Sequence, residues 1–299
     1  MMKTAISIPS YKHRYKNLLK YLNNSDIKDV FDVYVFLSNS DENIKEYDVY
    51  NNINLIKTDC NTLGDKKQYI FEYLYNKGYE KTFLIDDDIY SFGRKLQEGY
   101  MLKSGKGYKG INIEIKELCE ECDRQMNELN VSYLTTVKSF ALGFYIPNKI
   151  NIDKVNNLGQ FGLFNIKRII ESGIKFTNKK YEHEDVDMVF QIKLHNLGIA
   201  CLMYCTFFVD VKSIDNSSFI DDEVESLMHV NLYLKYRDGI TLRVDKNNKL
   251  RIIIRWSSYS DIDHIPIKND KYHKELYELC NETILTKDID KLKNFIKIK

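Results

Sequence analysis

Phe83-Leu84-Ile85-Asp86-Asp87-Asp88-Ile89 is an apolar run that ends abruptly in three consecutive carboxylates. Three like charges in a row repel one another, and the segment that delivers them has the composition of a buried strand. A cation makes such an arrangement tolerable. Hard divalent ions such as Mg2+ or Mn2+ prefer carboxylate oxygens and share them with substrate phosphates. The plain alternative is an acidic surface turn. Position argues against it, because the tip of a buried strand is where α/β proteins bind ligands.

Upstream of these carboxylates the chain alternates strand-like and helix-like segments. Residues 4–10 form a short apolar strand stopped by Pro9-Ser10, and residues 13–22 carry Leu18, Leu19 and Leu22 at helical spacing. Residues 31–37 (FDVYVFL) are dense in β-branched and aromatic side chains, and 54–58 form another short strand. Residues 66–76 place Ile70, Phe71 and Leu74 on one helical face, with Gly78 as a stop, before 82–85 leads into the aspartates. This rhythm predicts an α/β fold: a central, mostly parallel mixed sheet flanked by helices.

Downstream, residues 100–110 (YMLKSGKGYKG) have no periodicity and suit a basic loop. Residues 116–129 form an amphipathic helix, and 131–147 one or two strands. Helices are expected over 165–172 and 187–196, the second with Gly198 as its C′ residue. The unbroken apolar run 199–209 suits a strand covered on both faces. From Ser226 onward a helix precedes a hairpin, with arms 240–244 and 250–256 around Asp245-Lys246-Asn247-Asn248. A helix near 272–285 and a Lys-rich tail complete the chain.

With 44 basic and 43 acidic residues among 299, the net charge is +1. That excludes a polycationic nucleic-acid coat, so affinity for phosphate backbones must come from local patches. No stretch approaches the ~20 apolar residues that cross a bilayer. The apolar core of the first nine residues is too short for a signal peptide, so a cytoplasmic protein without membrane contact is expected. Its six cysteines are then reduced thiols. Cys119 and Cys122 have CxxC spacing but no second ligand pair, short of the four ligands of a structural zinc site.

Three further segments belong beside the aspartates. Pro9, Ser10 and Tyr11 stand at the carboxyl end of the first strand, where open α/β sheets bind nucleotides. Residues 59–68 (DCNTLGDKKQ) leave a strand and enter a helix through Gly64, so Asp59, Asp65, Lys66 and Lys67 lie where backbone N–H groups can meet a diphosphate. A capped, solvated helix start is the competing reading. Residues 181–187 (YEHEDVD) gather four acids and one His. The helix dipole explains part of that cluster. Glu184 or Asp185 is also a candidate general base. Together these features describe a nucleotide-sugar enzyme: nucleotide at the first strand end, an ion at Asp86, Asp87 and Asp88 bridging the diphosphate, and a later carboxylate facing the acceptor hydroxyl.

On IPSY, FLIDDDI and HEDVDMVFQIKLHNLG the chain resembles the GT-A glycosyltransferases over roughly residues 4–215. On SIPSYKHR, IDDDI, EDVD…Q…LHNLG and LKYRDGITLRV…LRIIIRW it resembles, more narrowly, the bacteriophage TET-associated glycosyltransferases, relatives of the base J glucosyltransferase. The resemblance implies a GT-A-like catalytic domain over 1–225 with an α+β extension over 226–299. It implies sugar transfer, from UDP-glucose, to a hydroxymethylpyrimidine base in DNA within the host cytoplasm. Asp86 and Asp88 would be the ends of the DxD motif, with Asp88 the direct ligand of Mn2+ or Mg2+. Glu184 and Asp185 would be the acceptor-side ED pair, and Asp210 a further metal ligand. Lys103, Lys106 and Lys109 with Tyr100 and Tyr108, and Arg251, Arg255 and Trp256, are candidate DNA contacts; a solvated basic loop and a core Trp are the competing, and commoner, readings. Rival readings are a polysaccharide or small-acceptor glycosyltransferase, a two-metal nuclease, and a non-catalytic DNA-binding module.

Overall fold

Val33, Val35 and Leu37 point to one side of their strand and Tyr34 and Phe36 to the other, and all five are buried. A strand with two apolar faces needs helices above and below it. That demand organises the molecule. In the computed structural model the described residues are 3–10, 18, 19, 22, 26–39, 53–60, 62–95, 110–138, 149–153, 155, 158–177, 181–209, 221–254 and 270–298.

The first half supplies β1 (Thr4–Ser10), β2 (Asp32–Ser38), β3 (Ile53–Thr58), helix α1 (Leu63–Asn76), β4 (Lys81–Ile85), β5 (Ile89–Lys95), β6 (Gly110–Ile113) and α2 (Ile115–Leu129). Then follow β7 (Tyr133–Lys138), β8 (Ile150–Ile152), β9 (Phe161–Phe164), α3 (Ile166–Glu171), α4 (Glu184–Leu194) and β10 (Ile199–Val209). One sheet takes these strands in the order β3-β2-β1-β4-β9-β7-β10-β5-β6, with β8 on β10. Strands β1 to β4, β6, β7 and β10 run one way, and β5, β8 and β9 run against them. The chain walks outward from β1 to β3, then returns to the other flank of β1 as β4. This reversal opens a crevice at the carboxyl ends of β1 and β4.

On one face of the sheet, Leu18, Leu19 and Leu22 join Leu118, Cys122 and Met126 of α2. All three of those leucines are helical, as their spacing predicts; the rest of 11–21 lies outside the described residues. On the other face, Ile70 and Phe71 of α1 pack with Ile166 of α3 and Met188 and Val189 of α4. A third apolar cluster belongs to the C-terminal elements α5 (Asp222–Tyr236), β11 (Ile240–Val244), β12 (Leu250–Ile254), α6 (Lys271–Thr286) and α7 (Ile289–Ile298), and takes in Phe190 of α4.

Several elements depart from the sequence expectation. The hairpin of β5 and β6 carries Gly, Arg and Lys, which mask its alternation. Helix α4 starts at Glu184, three residues before the expected Asp187, so the acids are its first turn. It also ends earlier. Asn196, not Gly198, takes the left-handed C′ position (φ 53°), with Leu197 N–H bonded to Ile192 O and Asn196 N–H to Lys193 O. The Lys-rich tail is helix α7, whose Leu292 and Phe295 join the third cluster, with Ile289 buried one turn earlier at the same helical spacing. Among the described residues no helix is long and apolar enough to cross a membrane.

Candidate active site

Helix α1 begins where Thr62 Oγ1 accepts the Asp65 N–H at 3.0 Å. Its second residue is Gly64 for a steric reason. A Cβ there would lie 2.0 Å from the Thr177 carbonyl oxygen. The missing side chain lets the start of α1 close upon the start of α4.

Lys67 spans that junction. Its Nζ lies 2.5 Å from Asp185 Oδ1 and 3.4 Å from Glu184 Oε1, and the side chain is buried. Burial alone would depress the ammonium pKa. The carboxylates of Asp185, Glu184 and Asp86 outweigh it and hold Lys67 well above its usual range. Glu184 is raised in turn, first by burial and then by Asp185, against the pull of Lys67. Lys66 is also buried, and its Nζ donates to Ser10 O and Ser38 Oγ, both at 3.0 Å. It thereby ties α1 to the carboxyl ends of β1 and β2.

The acidic turn follows β4 directly. Asp86 N–H donates to Gln160 O at 2.8 Å, and Gln160 Nε2 reaches both oxygens of Asp88 at 3.3 Å. Gln160 therefore grips the turn at both ends. Asp87 is buried and accepts from Ser10 Oγ at 2.8 Å, which clasps β1 to β4. Burial pushes Asp86 up to about 8; Lys67 opposes this, while Asp88, Asp185 and Asp87 add to it. Among the described residues no group of three or more His, Cys, Asp or Glu side chains is arranged to hold a metal ion.

The first turn of α4 has a second neighbour. His183, its N-cap, stacks on His229 of α5 with ring centroids 5.0 Å apart, and His229 Nδ1 meets Leu250 O at 3.1 Å. Burial lowers both imidazoles, His229 to about 4. Asp187, fully buried, takes Lys235 Nζ and Tyr236 Oη at 2.5 Å each, so it is spent on joining α4 to α5.

The structure thus brings together Ser10, Lys66, Lys67, Asp86, Asp87, Asp88, Glu184 and Asp185. Pro9 lies in β1, and Asp65 in the first turn of α1. Asp59 follows β3 and accepts from Asn39 Nδ2. Tyr11, Asp210, Arg255, Trp256 and the basic loop from Tyr100 to Lys109 lie outside the described residues. Arg251 is ion-paired with Glu225 at 2.6 Å and Asp245 at 3.3 Å. Sequence reasoning missed Gln160 and the bond between Lys67 and the acidic pair. Lys67 and Asp185 are 118 residues apart, and no local pattern encodes their meeting.

Residues 4–219 match the family model of the TET-Associated Glycosyltransferases. The chain belongs to this family. This TET-associated glycosyltransferase also resembles solved structures in fold. Crystalline S. aureus TarS 1–349 with UDP-GlcNAc aligns over 99% of this chain and 84% of its own, at 14% identity and TM-score 0.54. The same fragment with UDP aligns over 99% and 90%, at 14% identity and TM-score 0.50. At such identity the likeness speaks for a GT-A-like fold. No curated protein matches the chain significantly. The family match stops just before α5, so the C-terminal cluster that holds Asp187 and stacks on His183 lies beyond it.

Proposed function

We propose that this glycosyltransferase moves a sugar, glucose, from a UDP-sugar to a hydroxymethylpyrimidine base in DNA, with Mn2+ or Mg2+ held at the acidic turn. One observation carries the reading. The carboxyl ends of β1 and β4 present Ser10, Asp86, Asp87 and Asp88 beside a Glu184–Asp185 pair anchored by Lys67. Family membership supports the DNA acceptor. The similar TarS fragment binds UDP-GlcNAc and UDP, which supports the donor class.

The acidic turn fits a hard cation. Its donors are all oxygen, and Asp86 is raised to about 8, so a proton or a cation is favoured there. Asp86 and Asp88 would hold the ion, and diphosphate oxygens would complete its shell. Asp210 remains the proposed further ligand. When bound, the ion neutralises charge that grows on the departing diphosphate.

The chain's own residues do the rest. The acceptor hydroxyl oxygen bonds to the anomeric carbon as the bond from that carbon to the diphosphate oxygen breaks. UDP leaves with the electron pair, and the Glu184–Asp185 pair takes the hydroxyl proton. Lys67 favours the ionised form of that pair, while burial and the neighbouring Asp185 raise Glu184 above the usual carboxylate range, which makes it a stronger base. Ser10 and Gln160 fix Asp87 and Asp88 in place. Pro9, Tyr11, Asp59, Asp65 and Lys66 shape the nucleotide side.

The test is direct. The protein is incubated with UDP-sugars, Mn2+, and DNA carrying cytosine, hydroxymethylcytosine or hydroxymethyluracil, and the digested nucleosides are weighed. Hexose mass on one hydroxymethylated base is expected. Transfer to glycans but to no DNA would overturn the acceptor reading. No rise in Tm with UDP and Mn2+ would overturn the donor reading.

A further inference from the structure

Strand β5 opens with an irregularity beside the acidic turn. Ile89 pairs with Val209 and Ser91 with Phe208, so Tyr90 is an extra residue in the ladder between β5 and β10. A bulge of this kind re-aims one side chain, and bulges concentrate beside active sites. Its effect is plain in the burial. Ile89 and Phe92 are fully buried, whereas Tyr90 is 45% exposed. Phe208 backs it, with ring centroids 6.2 Å apart and planes tilted by 44°. Tyr90 follows Asp88 by two residues, a backbone reach of about 7 Å. A half-exposed aromatic side chain therefore follows the acidic turn within two residues.

The surroundings select what such a face can take. On the reading above, the aspartates upstream are committed to the cation and the donor diphosphate, and Tyr90 carries no charge, so what it offers an acceptor is a stacking face rather than a phosphate contact. An uncharged ring turned out of its strand is tolerated, and aromatic side chains stack bases without regard to sequence. We propose that Tyr90, backed by Phe208, is the platform on which the acceptor pyrimidine stacks during transfer. This rests on the DNA-acceptor reading above, and it adds the residue that receives the base.

Binding of a fluorescent single strand of about 12 nucleotides, carrying one 5-hydroxymethylcytosine, is measured by anisotropy with UDP and Mn2+ present. Tyr90→Ala should weaken binding about tenfold, and Tyr90→Phe and Tyr90→Trp should stay within about twofold of the parent. The rise in Tm with UDP and Mn2+ should persist in every variant, which certifies fold and donor site. Tyr90→Gln replaces the alanine variant should that rise be lost. Equal affinity in parent and alanine variant overturns the platform alone. So does a loss in Tyr90→Phe as large as in Tyr90→Ala, since the hydroxyl would then be the determinant. A parent that binds no such strand and glycosylates no DNA overturns the acceptor reading and the platform with it.

Discussion

The fold buries Lys81 at the amino end of the sheet and Lys66 and Lys67 at the carboxyl end, and Lys81 and Lys67 are not alike. At the amino end Lys81 gives its ammonium to Asp123 Oδ1 at 2.8 Å and Asn127 Oδ1 at 2.6 Å, neighbours one turn apart on α2. One cation meets one anion and one amide, and the account closes. At the carboxyl end Lys67 faces Asp185, Glu184 and Asp86, with Asp87 and Asp88 beside them. One cation serves several anions. A buried ion pair is weak evidence of function, because its desolvation offsets its attraction. Carboxyl groups crowded together with a raised pKa among them are better evidence, since such crowding concentrates at functional sites.

The comparison can be broken experimentally. Lys67→Met should lower stability by about 3 to 5 kcal/mol at pH 8, because it strands buried carboxylates. The deficit should shrink toward pH 5, as Asp86 and Glu184, both raised by burial, take up protons. Urea unfolding at both pH values reads this, and a deficit no greater than that of Lys81→Met would erase the distinction. Asp88→Ala should cut sugar transfer by about 10^2- to 10^3-fold with Tm held within about 2 °C. Activity and melting curves on one preparation decide it; retained turnover would mean that the crowding serves no chemistry.

The histidine stack gives a smaller pH effect of the same sign. Folding depresses His183 and His229, so the stability they contribute is present above the unfolded value near pH 6.5 and lost as pH falls toward 4. For His229 the loss should be about 2 kcal/mol between pH 6.5 and 4. His229→Phe should flatten the Tm profile over that window. Smallest of all, Lys81→Met should cost about 1 kcal/mol, because Asp123 is 32% exposed and stays hydrated.

Much of the sheet was legible beforehand. β1 and β10 match their expected ranges, and β2 to β4 shift by a single residue at their ends; in β2, β4 and β10 burial on both faces leaves an apolar run, while the edge strand β3 is half-exposed. The hairpin after the aspartates was not, since the bulge at Tyr90 breaks its alternation. Helix α7 was hidden by its lysines, although Ile289, Leu292 and Phe295 kept the period. Within the site, Asp86 to Asp88 and Glu184–Asp185 announce themselves by charge density. Lys67 was assigned to a diphosphate from its place near a helix start. Its ammonium instead meets carboxylates brought in by α4, a choice made by tertiary packing.

Asp187 carries a consequence for engineering. It stands one residue beyond Val186 from the acidic pair, and its carboxylate is closed by Lys235 and Tyr236, while Phe190 stacks on Tyr236 at 4.3 Å. A chimera that grafts a foreign tail after residue 219 would sever these bonds and leave the Asp187 carboxylate with Gln191 Nε2, at 2.7 Å, as its remaining side-chain donor among the described residues, in the helix that presents Glu184. Modular exchange among such transferases therefore has to carry α5 along with the graft's host, or transplant Asp187, Lys235 and Tyr236 as one inheritable unit.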